Sequence, residues 1–209
     1  GGGKMTPARL LLYGGTFDPP HVGHLNNLRA AMDAVRPDRV VVMPAGTPPH
    51  KAASTTPGSW RLAMCRCFEA VDPRVTVSRW EIDRAGRSYT VNTLEMLRAR
   101  CPGAALYLAL GSDMLLTFTQ WRSWPQILQL ATLVVQSRAD GDGALLREAA
   151  RDLMAQGGRV VFAAAVPVPC ASSEIRAGTL PAAQLRALLP PEVRRVIREH
   201  HLYGIEEIV

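Results

Sequence analysis

Short apolar runs alternate along the chain with stretches in which apolar positions recur every three or four residues. The runs fall at 8–13, 39–43, 74–80, 104–110, 131–136 and 159–163, each of a length suited to a strand buried on both faces. Helical spacing occupies about 22–35, 58–71, 89–100, 143–156, 172–178 and 190–200. This alternation predicts an α/β protein with a doubly wound parallel sheet, followed over 172–209 by a small helical C-terminal portion. In such folds ligands bind beyond the carboxyl ends of the strands, where the strand order switches. No internal repeat or long low-complexity linker interrupts the pattern.

At 209 residues the chain can bury one ample core, and residues 5–209 are expected to form a single domain. Gly1 to Lys4 read as a tag remnant, with Met5 as the native start. No segment approaches the ~20 apolar residues of a membrane span, and none resembles a signal peptide, so a cytoplasmic location without membrane association is expected. Cys65, Cys67, Cys101 and Cys170 lack the paired spacing of a zinc site and are too sparse for a disulfide framework.

A net charge of +6 fits either nucleic acid or small polyanions as partners. The densest basic cluster, Arg186, Arg194, Arg195 and Arg198, lies at helical spacing among apolar residues and reads as a solvated helix face. No stacking aromatics are interleaved with it, which argues against single-stranded nucleic acid. Lysine usage is more selective: of 24 basic residues only Lys4 and Lys51 are lysine. Lys51 follows Pro48-Pro49-His50, where a compact, flexible ammonium suits phosphate.

Candidate chemistry concentrates after the predicted strands. Residues 14–24, GGTFDPPHVGH, carry two glycines after the first strand, which allow close approach of a ligand to the backbone. Pro19 and Pro20 suit a helix start, and His21 and His24 then project from one face near the positive end of the helix. Pro44 to Lys51 follow the second strand, Gly111-Ser112-Asp113 the fourth and Arg138 the fifth; Cys170 to Arg176 follow the last. Asp113 is placed either to cap a helix or to bind ribose hydroxyls. Trp121, in a predicted loop, either packs on the core or stacks on a ring. Ser88-Tyr89-Thr90 opens a predicted helix, whose amides suit a carboxylate.

The segment GGTFDPPHVGH resembles the HxGH signature of the nucleotidyltransferase superfamily, in the form found in bacterial nicotinate mononucleotide adenylyltransferases. The resemblance runs from Leu10 to about Tyr203 and implies a Rossmann-like nucleotidyltransferase fold. Ala171-Ser172-Ser173-Glu174-Ile175-Arg176 is similar to the second signature, ISSTxxR, with Cys170, Ala171 and Ser173 replacing its isoleucine, first serine and threonine. The resemblance implies that ATP meets Gly14, Gly15, Thr16, Phe17, His24, Gly111, Asp113, Ser173 and Arg176. It implies that the mononucleotide meets Thr16, His21, Lys51, Ser88, Tyr89, Thr90, Trp121 and Arg138. His21, His24, Lys51 and Arg176 are then the catalytic set.

The implied reaction joins nicotinate mononucleotide to ATP, giving nicotinate adenine dinucleotide and pyrophosphate. Its nucleophile is a phosphate oxygen, largely ionised near neutral pH because the second pKa of a phosphate monoester is ~6, so no general base is required. Mg²⁺ is expected to arrive on the ATP phosphates, and no protein metal ligands are expected. Rival readings are transfer to nicotinamide mononucleotide or phosphopantetheine, a non-catalytic nucleic-acid-binding protein, and a fragment of a class I tRNA synthetase. For a synthetase with an anticodon-binding domain the chain is too short.

Overall fold

The computed structural model describes residues 7–46, 56–137, 143–206 and 208. Lys51 and Arg138 lie outside the described residues. Six strands form one sheet: β1 (Arg9–Gly15), β2 (Arg39–Pro44), β3 (Val75–Val77), β4 (Ala105–Leu110), β5 (Ala131–Ser137) and β6 (Val160–Ala164). Their order, β3-β2-β1-β4-β5-β6, is that of a doubly wound parallel sheet, and it reverses between β1 and β4. Leu12 pairs with Leu108 and Leu108 with Leu133, in parallel register.

The helices are α1 (Val22–Val35), α2 (Gly58–Cys65), α3 (Trp80–Asp83), α4 (Thr90–Arg100), α5 (Ser112–Leu116), α6 (Trp124–Leu130), α7 (Gly143–Ala155), α8 (Ser172–Arg176), α9 (Ala182–Leu188) and α10 (Pro191–His200). The chain packs as two compact units. One comprises Gly1–Tyr13, Asn27–Val41 and Tyr89–Ala165; the other comprises Gly14–Asn26, Val42–Ser88 and Val166–Val209.

In the first unit Leu10, Leu11, Leu12, Leu106, Leu108, Leu133, Val134 and Val135 are buried, which explains why these strands read as unbroken apolar runs. Helix α7 presents Leu146, Ala150 and Leu153 at helical spacing to this core. In the second unit Phe17, Met64, Phe68, Ile175, Val193 and Ile197 are buried. Arg195, on the exposed side of α10, pairs with Glu192 at 3.1 Å and Glu199 at 3.0 Å, so part of the basic cluster is neutralised locally. Among the described residues no helix is long and apolar enough to cross a membrane.

Two of the expected elements differ in extent or geometry from the sequence pattern. The strand expected over 74–80 ends at Val77, because Ser78 Oγ accepts the N–H of Trp80 and the chain turns into α3. The helix expected over 58–71 changes at Arg66 from α to 3-10 geometry. Pro19 and Pro20 precede α1 without entering it; His21 is the N-cap, its carbonyl accepting from His24 at 3.0 Å and Leu25 at 3.3 Å.

Candidate functional site

The Gly14–His24 segment begins with the last two residues of β1 and turns sharply at Phe17. Phe17 takes the left-handed conformation, at φ 50°, and its ring is buried against Phe68 and the edge of His24, with centroids at 5.0 and 5.3 Å. A Cβ at Gly15 would lie 2.9 Å from this ring, which accounts for the second glycine. The phenylalanine therefore supports His24 from below.

The two histidines cap α1 reciprocally. His21 Nδ1 accepts the N–H of Gly23 at 3.0 Å, and His24 Nδ1 accepts the N–H of His21, also at 3.0 Å. Each satisfies a backbone donor, as in a capping box, but with imidazole nitrogens as the acceptors. The ring centroids are 4.0 Å apart. Gly23 is needed because a Cβ there would lie 2.7 Å from His21 Cε1. Burial lowers the His21 pKa to about 4, and burial followed by the neighbouring His21 holds His24 well below its ordinary value. Both imidazoles are consequently neutral at neutral pH. With Nδ1 accepting, each carries its proton on Nε2, as a donor.

The segment before His21 is fastened by the C-terminal part of the same unit. Ser172 Oγ donates to the Pro19 carbonyl at 2.8 Å, and Arg176 Nη1 donates to the Asp18 carbonyl at 2.9 Å. Ser173, one residue beyond Ser172 on α8, is exposed. Thus the glycine-rich loop and the serine-arginine segment, distant in sequence, are joined by two hydrogen bonds. Ser88 belongs to this unit too, and its buried Oγ lacks a hydrogen-bond partner among the described residues.

The first unit holds Tyr89, Thr90, Gly111, Asp113 and Trp121. Gly111 is the N-cap of α5; Asp113 lies exposed in its first turn. The register of α5 is fixed by Ser112, whose Oγ donates to the Gln136 carbonyl at 2.7 Å. Tyr89 is the extended residue before α4, and no side chain caps that helix. The Arg122 guanidinium sits 4.5 Å from the Tyr89 ring centroid, a cation–π contact. Trp121 is half-buried and tilted against Phe118 at 5.4 Å, so one ring contact with the core is combined with partial exposure.

Residues 12–178 match the family model described as cytidylyltransferase-like. A probable nicotinate-nucleotide adenylyltransferase of Acidithiobacillus ferrooxidans is 37% identical over 207 residues, covering 93% of this chain and 95% of its own. Its counterpart in Neisseria meningitidis serogroup C is 38% identical over 198 residues, covering 92% and 96%. The chain belongs to the nicotinate-nucleotide adenylyltransferase family. The nicotinic acid mononucleotide adenylyltransferase of Plasmodium falciparum, complexed with NaAD, has the same fold: it is 13% identical, with a TM-score of 0.73 over 95% of this chain and 98% of that chain.

Three residues of this family member escaped the sequence reading. Arg61, 3% exposed, donates from Nε to the Thr56 carbonyl, from Nη1 to those of Thr16 and Ala45, and from Nη2 to that of Gly46, at 2.6–3.2 Å. It thereby fixes the loops that follow β1 and β2. The available signal was its spacing, since Arg61 shares the inner helical face with Met64 and Cys65. The second is Asp18, buried at 1% exposure, and the third is Tyr203, whose hydroxyl donates to Asp18 Oδ1 at 2.5 Å. Tyr203 comes from a 3-10 turn that belongs to no signature, so nothing in the sequence pointed to the pair.

Proposed function

We propose that the chain transfers the adenylyl group of ATP to nicotinate mononucleotide, forming nicotinate adenine dinucleotide and pyrophosphate, as a step of NAD biosynthesis. The observation that carries this reading is the neutral His21–His24 pair, in which both Nδ1 atoms accept backbone N–H groups and the ring protons therefore sit on the Nε2 donors. The names of the relatives support the substrates.

In the proposed reaction an oxygen of the mononucleotide phosphate attacks the α-phosphorus of ATP. The new O–P bond forms as the bond to the β-phosphate oxygen breaks, and the electron pair leaves on pyrophosphate. The nucleophile is already ionised, so the protein's task is to align two polyanions and stabilise charge on the α-phosphoryl group. His21 and His24 donate to phosphoryl oxygens along the line of attack, His24 nearest the α-phosphorus. With each Nδ1 already accepting a backbone N–H and burial disfavouring the imidazolium, neither ring is a base for the nucleophile, and both act as fixed hydrogen-bond donors. Arg176 keeps donor groups beyond the one given to Asp18 and, with Lys51, neutralises the β and γ phosphates; Ser173 donates alongside.

The Gly14–Phe17 backbone lies against the ATP phosphates, and Gly111 with Asp113 meets the ribose. Tyr89 and Thr90 direct the uncapped amides of α4 at the nicotinate carboxylate, with the Ser88 hydroxyl, which has no partner among the described residues, adjoining. Trp121 offers its exposed face to the pyridine ring, Thr16 contacts the mononucleotide, and Arg138 holds its phosphate. Among the described residues no three His, Cys, Asp or Glu side chains are grouped to hold a metal ion. Mg²⁺ enters as part of the substrate, on the phosphates of ATP.

The acceptor is tested by supplying ATP with nicotinate mononucleotide, nicotinamide mononucleotide or phosphopantetheine and measuring pyrophosphate release. Preference for the acid is expected. A preference for the amide or for phosphopantetheine overturns the assignment.

A further inference from the structure

Between Asp18 and His21 stand only Pro19 and Pro20, both buried, whose rings restrict backbone rotation. A displacement at Asp18 is therefore passed to His21 with little attenuation, and from His21 to His24 through the bond between the His21 N–H and His24 Nδ1. Three hydrogen bonds from the C-terminal part of the unit reach this stretch. Those from Ser172 and Arg176 come from the segment already placed beside the phosphates. The third, from the Tyr203 hydroxyl to the Asp18 carboxylate, comes from the turn Leu202–Gly204 near the end of the chain.

We propose that Tyr203 is a positioning residue for adenylyl transfer, holding the His21–His24 pair in register through the Asp18 carboxylate. The effect on rate rests on the function proposed above, whereas the effect on the imidazoles does not.

Two features set this contact apart from a simple anchor for the C-terminal turn. Leu202, Ile205 and Ile208 are already buried and fasten the turn without any hydroxyl. The tyrosine also adopts the left-handed conformation, at φ 61°, with its carbonyl 2.8 Å from where a Cβ of Gly178 would lie. Such a backbone is retained where its surroundings over-determine it. What it accomplishes here is delivery of the phenol to a carboxylate that is 1% exposed, where a donor offsets the cost of burying the charge. Thr56 meets the same hydroxyl, while Arg61 and Arg176 supply the neighbouring positive charge.

The test compares the full-length wild type with Tyr203→Phe and Asp18→Ala, which remove the same bond from opposite ends, and with Asp18→Asn, which retains an oxygen acceptor. Steady-state kinetics are combined with long-range ¹H–¹⁵N spectra of the imidazoles. Tyr203→Phe is expected to unfold cooperatively, to lose about 10- to 100-fold in kcat as a misplaced donor would, and to change KM for ATP little. In Tyr203→Phe and Asp18→Ala the spectra of His21 and His24 are expected to move from a pure Nε2–H tautomer towards a mixture, and Asp18→Asn is expected to recover the wild-type pattern. If Tyr203→Phe does not fold, Asp18→Ala carries the spectral comparison. Wild-type imidazole spectra in a folded variant lacking the bond, or a loss confined to KM, overturn the proposal. A wild-type chain that makes no dinucleotide overturns the function instead, and the spectra still decide the positioning.

Discussion

The backbone N–H of His21 donates to Nδ1 of His24, so the second histidine of the HxGH segment caps the helix on which it stands. This bond and its counterpart from Gly23 to His21 place the proton of each ring on Nε2. The local requirements of a helix N-terminus and those of phosphoryl chemistry are met by opposite nitrogens of the same rings. Replacing His24 with alanine is expected to lower kcat by roughly 10² or more, on the scale of losing one transition-state donor. Steady-state kinetics check this, and normal turnover in His24→Ala would remove the residue from the mechanism.

Gly23 is the second test of the same geometry. Its N–H is held by His21 Nδ1, and the ring lies so near that a Cβ would come within 2.7 Å of it. Gly23→Ala should therefore turn the His21 ring away and depress kcat while the chain stays folded. Circular dichroism with a turnover assay would check both parts; a fully active alanine variant would contradict the capping arrangement.

Stability should depend on acid through His21. Its pKa is about 4 when folded, against an ordinary 6.5, because burial disfavours the imidazolium. The unfolded chain binds the proton more readily, so stability is fully present above pH 6.5 and is lost as pH falls through about 4. The loss is on the order of 3 kcal/mol. Urea unfolding at pH 7.5 and 4.5 should show it, and His21→Asn, which retains an N-cap acceptor, should reduce the difference, His24 supplying the remainder. An equal pH dependence in both proteins would refute the assignment to His21.

Arg61 is expected to matter for folding more than its position in sequence suggests. It is the shared donor for four carbonyls and stands near the buried Asp18. Arg61→Met would leave those four carbonyls without this donor and remove a positive charge from near the Asp18 carboxylate, at a cost of about 3–5 kcal/mol. Arg61→Lys should recover only part, because one ammonium cannot reproduce the planar fork. Urea midpoints of the two variants check the ranking, and a lysine variant as stable as the wild type would contradict it.

The central strands were legible because they are buried on both faces, leaving unbroken runs such as Leu10 to Leu12 and Leu133 to Val135. Helices α4, α7 and α10 were legible for a related reason, since each carries one apolar stripe. Helices α3, α5 and α6 were not: they are one or two turns long, too short for a period to develop, and α5 is held by a bond to another element, from Ser112 to Gln136 of β5. Helix α9 was missed although Leu185 and Leu188 are buried, because its seven residues hold little more than one apolar pair.

Within the candidate site, the glycines and histidines could be read because their types and spacing are unusual together. Asp18 and Tyr203 could not, because their relationship exists only across 185 positions of chain. The acid-titrating character of His21 was also hidden, as it follows from burial in the folded chain.

At the centre stands the transfer of the α-phosphoryl group of ATP, with its adenosine, onto nicotinate mononucleotide. The most direct measurement uses ATP labelled at the α-phosphate, incubated with the chain, nicotinate mononucleotide and Mg²⁺, followed by separation of the products. The label is predicted to appear in nicotinate adenine dinucleotide while the pyrophosphate released is unlabelled. Label that remains in ATP or AMP, with no labelled dinucleotide formed, would contradict it.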